Sequence, residues 1–137
     1  MRKITKSLIA TFLIALLSLT SITAFANDEA PSPRLSHMED GSFTFSATAD
    51  GGHVDVTYYG YDSFVRADLT VKIEKNFLFF WWNEVTSWSA SSTQIDGEFY
   101  NTLPLDGSGK YRATFTLLIT GNDGTVDTIE RTIESRY

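Results

Sequence analysis

Few side chains in this sequence can change charge or attack a substrate near neutral pH. There is no cysteine, which excludes thiol nucleophiles, disulfides and thiolate metal sites. The two histidines are His37, in a polar segment, and His53, beside a glycine pair. A Ser-His-Asp system needs a histidine base oriented by a carboxylate. Because His37 falls in the expected leader, such a system would have to use His53, with Asp55 or Asp62 nearby in sequence. No Gly-x-Ser-x-Gly elbow is present to lift a serine onto a strained turn. His53 is therefore read as a surface histidine at a strand end. Asp96 and Glu98 lie two apart, so on a strand both point to one face, as a glycosidase pair would require. In a chain with 17 Asp and Glu such pairs are expected by chance. Asp50, Asp62, Asp106, Asp123 and Asp127 fall in or near expected loops, where calcium is commonly held by several oxygen ligands. There is no Asp-x-Asp-x-Asp loop, and Asp106 and Asp123 flank one strand at opposite ends. They are read as turn formers. No catalytic residue, metal ligand or cofactor is assigned.

The strongest functional signal is aromatic. Phe79, Phe80, Trp81 and Trp82 are consecutive. On a strand, Phe79 and Trp81 would face one side and Phe80 and Trp82 the other. A sandwich sheet buries one face, so one pair would point to solvent. Joined by Tyr59 or Tyr61, that pair would form a flat apolar patch able to stack on sugar rings or meet a protein. The competing reading covers both faces, as in a strand buried on both sides. The candidate ligand-binding residues are Phe79, Phe80, Trp81, Trp82, Tyr59 and Tyr61.

The elements that must position these residues are strands. Phe43, Phe45, Ala47 and Ala49 alternate with polar residues, and Asp50-Gly51-Gly52 marks a turn. Val54, Val56 and Tyr58 alternate next, followed by a loop over 60–63 and by Leu69, Val71 and Ile73. The run 77–82 is read as continuous strand, resuming through Val85 and Trp88, with a polar loop over 90–94. Phe99 and Leu103 mark another strand. Tyr111, Ala113, Phe115, Leu117 and Ile119 give the longest clean alternation. Gly121-Asn122-Asp123-Gly124 is a hairpin turn that favours positive φ. The last strand, with Val126, Ile129 and Ile133, has an imperfect register that a bulge or an edge position would explain.

About seven strands with regular turns predict an all-β, immunoglobulin-like antiparallel sandwich over 41–137, with a small closed barrel as the alternative. Tyr111 opens the best strand just after Gly107-Ser108-Gly109, as in a tyrosine corner. Ala113 then stands where antibody domains carry their second cysteine, and Trp81, Trp82 or Trp88 is expected at the central core position.

The first 26 residues read as a secretory signal peptide. Arg2, Lys3 and Lys6 precede an apolar stretch from Leu8 to Leu19, and Ala24-Phe25-Ala26 supplies the cleavage site. The apolar core is shorter than the roughly 20 residues of a membrane span, so no stable anchor is expected after cleavage. Residues 27–40 are polar, contain Pro31 and Pro33, and read as a flexible leader. Cleavage leaves 111 residues with 8 basic and 17 acidic side chains, a net charge of −9 with His neutral. That charge disfavours nucleic acid and electrostatic adsorption to anionic membranes.

The segment Lys72-Ile73-Glu74-Lys75-Asn76-Phe77-Leu78-Phe79-Phe80-Trp81-Trp82-Asn83-Glu84-Val85, together with Gly109-Lys110-Tyr111-Arg112, resembles small secreted proteins of Gram-positive bacteria. That group is uncharacterised, so the resemblance implies an extracellular location and a β-rich fold and assigns no catalytic residues. It covers roughly Arg66 to the end. The expectation is a secreted or cell-surface binding module whose partner is a protein, or alternatively a glycan of a cell wall or host. A small hydrolase and a secreted toxin rank behind these.

Overall fold

The structure is a computed structural model and describes Leu35–Tyr137. The expected signal peptide and most of the expected leader lie outside the described residues. Seven strands follow in order: β1 (Met38–Thr48), β2 (Gly51–Gly60), β3 (Phe64–Phe77), β4 (Trp81–Ser92), β5 (Asp96–Leu103), β6 (Lys110–Gly121) and β7 (Val126–Arg136). They form two antiparallel sheets, ordered β1-β2-β5 and β4-β3-β6-β7. Neither sheet closes on itself, so the architecture is a sandwich and the barrel alternative falls away. The arrangement is the immunoglobulin-like one, with β4 added beside β3 on the four-stranded sheet.

Alternation along each strand decides what is buried. Phe45, Ala47, Val54, Val56, Tyr58 and Phe99 line the inner face of the three-stranded sheet. Leu69, Val71 and Ile73 of β3 and Ala113, Phe115 and Leu117 of β6 are fully buried opposite them. Burying an aliphatic or phenyl side chain of this kind stabilises by about 1.5–3 kcal/mol. Tyr111 is buried and its hydroxyl donates to the Gly107 carbonyl at 2.5 Å, forming the expected tyrosine corner.

The central position expected for a tryptophan is taken by aliphatic residues. Ala113 pairs with Ile73. All three tryptophans lie on β4, at the sheet edge, and only Trp88 packs against the core. The irregular last strand is an edge strand and pairs with β6 without a bulge. Its turn places Gly124 at φ 80°, as the sequence predicted.

The folded unit begins before residue 41. β1 starts at Met38, and His37 is almost fully buried. The His37 ring packs where a side chain on residue 121 would stand, so that position requires glycine. Its Nδ1 lies 2.8 Å from the Ser63 hydroxyl and its Nε2 2.6 Å from that of Thr125. Asp127 accepts hydrogen bonds from the backbone N–H groups of Ser36 and His37. The last residues assigned to the leader are thus fastened to the loops at one end of the sandwich.

Candidate functional site

The aromatic run is a turn and not a continuous strand. β3 ends at Phe77, β4 begins at Trp81, and these two residues pair across the hairpin. Leu78, Phe79 and Phe80 form the loop, with Leu78 and Phe79 at φ 51° and 68°. Left-handed backbone costs an L-residue roughly 1–2 kcal/mol. No glycine, asparagine or aspartate is present in the loop to relieve it. The turn is imposed by the flanking register, which sets Val71 against Trp88 and Leu69 against Ala90 on the buried face.

The hairpin projects. Pairing of β3 with β6 ends at Lys75 and Tyr111, whereas pairing with β4 continues through Asn76 and Phe77. A two-stranded arm therefore extends past the four-stranded sheet. A bulge at Val85, between the Ile73–Thr86 and Glu74–Glu84 pairs, bends its base. The apolar side chains of the tip are open to solvent: Phe79 is 95% exposed, Phe80 73%, Leu78 and Trp81 60%, and Phe77 53%. Five consecutive exposed apolar residues exceed the scattered exposure normal for a soluble surface.

The tip's backbone is partly satisfied from within. The Phe80 N–H donates to the Leu78 carbonyl at 2.8 Å. The Asn76 amide donates to the Phe79 carbonyl at 3.2 Å and reaches that of Trp81 at 3.5 Å. The Phe80 and Trp81 rings meet edge to face, at 79° between planes, and so present no flat platform.

Trp82 differs from its neighbours. It lies on the outer face of the sheet, half-buried, with the Arg112 guanidinium 4.3 Å and the Lys110 ammonium 5.6 Å from its ring centre. Arg112 Nε also donates to Glu74 at 2.7 Å, and Lys72 lies 3.6 Å from the same carboxylate. The Arg112 hydrogen bond holds the Glu74 carboxyl below the usual glutamate range, against the opposing effect of burial.

Tyr59 and Tyr61 do not join this tip. Both are exposed, but Tyr59 lies at the end of β2 and Tyr61 in the loop that leads into β3. The tip lies at the far end of β3, roughly 40 Å of strand away. The combined patch expected from the sequence is therefore not formed.

The residues weighed for catalysis or calcium are spread over several strands and turns. His53 rests between the hydroxyls of Thr48 and Thr102, with Asp50 at 3.4 Å. Asp96 and Glu98 share an exposed face of β5, an edge strand. Asp123 accepts from the Thr125 hydroxyl, which lowers its pKa. Among the described residues, no group of three or more His, Cys, Asp or Glu side chains is placed to hold a metal ion.

Two features of the structure lie outside the sequence expectation. His37 belongs to the folded domain and not to the leader, held by partners 26 and 88 residues along the chain. Phe77 and Leu78 join the exposed patch. The signal for them in the sequence is an apolar run lying between two alternating segments that pair with each other.

Fold and tip together define a seven-stranded β-sandwich carrying an apolar β-hairpin at one end. Compared with known protein families, curated proteins and solved structures, the chain matches none.

Proposed function

We propose that this protein is a secreted or cell-surface binding module that acts without catalysis, and that the 77–81 hairpin tip is its contact surface. The observation that carries this reading is the exposure of five consecutive apolar residues on a projecting, backbone-strained turn. A strained, solvent-facing apolar loop is stable only at the expense of the rest of the fold, and such strain concentrates at functional sites. The export pattern of residues 1–26 supports a partner outside the cell. A sugar-stacking platform needs a flat ring face. The edge-to-face Phe80–Trp81 pair favours instead a partner that surrounds the tip.

The test uses protein exported and processed by a bacterial host. It is expected to be retained on isolated cell envelopes. Phe79→Asp should melt no lower than the parent, because Phe79 is 95% exposed and aspartate tolerates positive φ, and should be washed off. Equal retention of the variant overturns the reading.

A further inference from the structure

Resting on that reading, the geometry points to a partner: we infer that the tip inserts into the interface of a phospholipid bilayer, driven by burial of its apolar side chains and not by charge. Four observations converge on this.

First, the tip is apolar on all sides. Phe77 and Trp81 lie at its base, Leu78, Phe79 and Phe80 around its apex, and all five are exposed. A groove would cover one face of such a knob, whereas a fluid interface covers every face. The knob extends about two residues beyond the Phe77–Trp81 pair, or roughly 7 Å. That suits the roughly 5–10 Å depth reached by interfacial apolar segments.

Second, the loop's polar backbone is partly prepared for dehydration, at its carbonyls. Unpaired N–H and C=O groups oppose entry into an apolar phase. Here the carbonyls of Leu78, Phe79 and Trp81 all have donors inside the hairpin, two of them from Asn76.

Third, the chain's charge is segregated. Five of the seven basic residues in Leu35–Tyr137 lie at the hairpin end of the four-stranded sheet: Lys72, Lys75, Lys110, Arg112 and Arg136. Their acidic neighbours are Glu74, Glu84, Glu134 and, in the adjoining loop, Asp106. That end is close to neutral. Asp50, in the β1–β2 turn beside Leu103, lies at the same end on the facing sheet, and the other ten acidic residues of the domain are accompanied by Arg66 and Arg131 alone. Most of the negative charge that would repel an anionic surface is thus held away from the tip.

Fourth, the base of the tip carries groups suited to a headgroup layer. Lys75, Asn76 and Asn83 border a cleft beside the hairpin together with Glu84 and Asp106, a mixed set that suits a zwitterionic headgroup. Trp81 is placed between them and the apex, at the level where indoles concentrate at membrane boundaries.

The test follows Trp81 alone, in exported protein carrying Trp82→Phe and Trp88→Phe, against phosphatidylcholine vesicles. The expected result is a blue shift of Trp81 emission and quenching by lipids brominated high on their acyl chains. Adding anionic lipid or raising salt should change the affinity only a few-fold. Phe79→Asp should weaken vesicle binding at least tenfold, and Phe79→Leu should largely preserve it. A second reporter, Trp88 alone, should show neither shift nor quenching.

No emission change with vesicles, equal binding by Phe79→Asp, or quenching of Trp88 in place of Trp81 would each overturn the inference. Envelope retention that depends on Phe79, but is lost when the lipid is supplied as protein-free vesicles, removes the lipid partner and leaves the binding reading standing. Envelope retention independent of Phe79 removes both.

Discussion

The Arg112 guanidinium lies 4.3 Å over the Trp82 ring while its Nε donates to Glu74 at 2.7 Å. One cation therefore ties the base of the projecting hairpin to the central strand β6. Arg112→Met removes the partner of a largely buried carboxylate and is expected to cost about 1–3 kcal/mol. Adding Glu74→Gln to that variant should restore part of the loss. Arg112→Lys should recover less, since a lysine gives a point charge in place of a planar fork. Urea denaturation of the four proteins checks this.

The same pair sets a pH dependence. The Glu74 carboxyl ionises more readily in the folded protein than its ordinary value of 4.5, first because Arg112 hydrogen-bonds the charged form. A depressed folded pKa contributes stability that is fully present above the unfolded value. It is lost as pH falls through the folded one. Asp50 and Asp123 act in the same direction, through the Thr48 and Thr125 hydroxyls respectively. Stability should therefore hold down to about pH 5 and decline below it. Glu74→Gln should be less stable than the parent at pH 7, with the difference narrowing as pH falls through the acid range. A constant difference between pH 6 and pH 3 would contradict this origin.

The fold was legible because residues on alternate sides of each strand differ in polarity. Tyr111 through Ile119 read directly as inner face, and the structure buries all five apolar residues of that run. The tip was not legible by the same logic. Turn recognition rests on residues that favour positive φ, and Leu78-Phe79-Phe80 contains none, so the run imitates a strand. What bends it is pairing between Lys75 and Asn83 and between Asn76 and Trp82, which is tertiary information. His37 was hidden for a similar reason. Its burial depends on Ser63, Gly121 and Thr125, none of them near it in sequence.

Gly121 is the test of that hidden contact. An added Cβ would overlap the His37 ring, so Gly121→Ala must expel the ring or shift β6. The expected loss is about 1–3 kcal/mol, in the range of overpacked sites. Hydrogen exchange should show it first at Tyr61, whose N–H donates to the His37 carbonyl at 2.9 Å. His37→Ala should raise exchange at the same amide, and combining the two substitutions should cost less than their sum. Strict additivity would mean that ring and glycine are energetically independent.

Leu78 and Phe79 separate stability from binding. Both adopt left-handed backbone without the residue type that favours it. Glycine relieves roughly 1–2 kcal/mol of strain at such a position and loses back about 0.5–1 kcal/mol in unfolded-chain entropy. Leu78→Gly should therefore raise stability by up to about 1 kcal/mol, since its exposed side chain contributes little packing. The same change removes apolar surface from the tip and should weaken its binding. A variant that melts higher and binds less would show that the apolar residues are kept against the local preference of the turn, as expected of a site held for function. Asn at the same position supplies the control. It tolerates positive φ, so it should gain stability similarly while placing a polar amide at the apex. If Leu78→Gly and Leu78→Asn both melt lower than the parent, the side chain packs on the hairpin in solution and the turn is not strained.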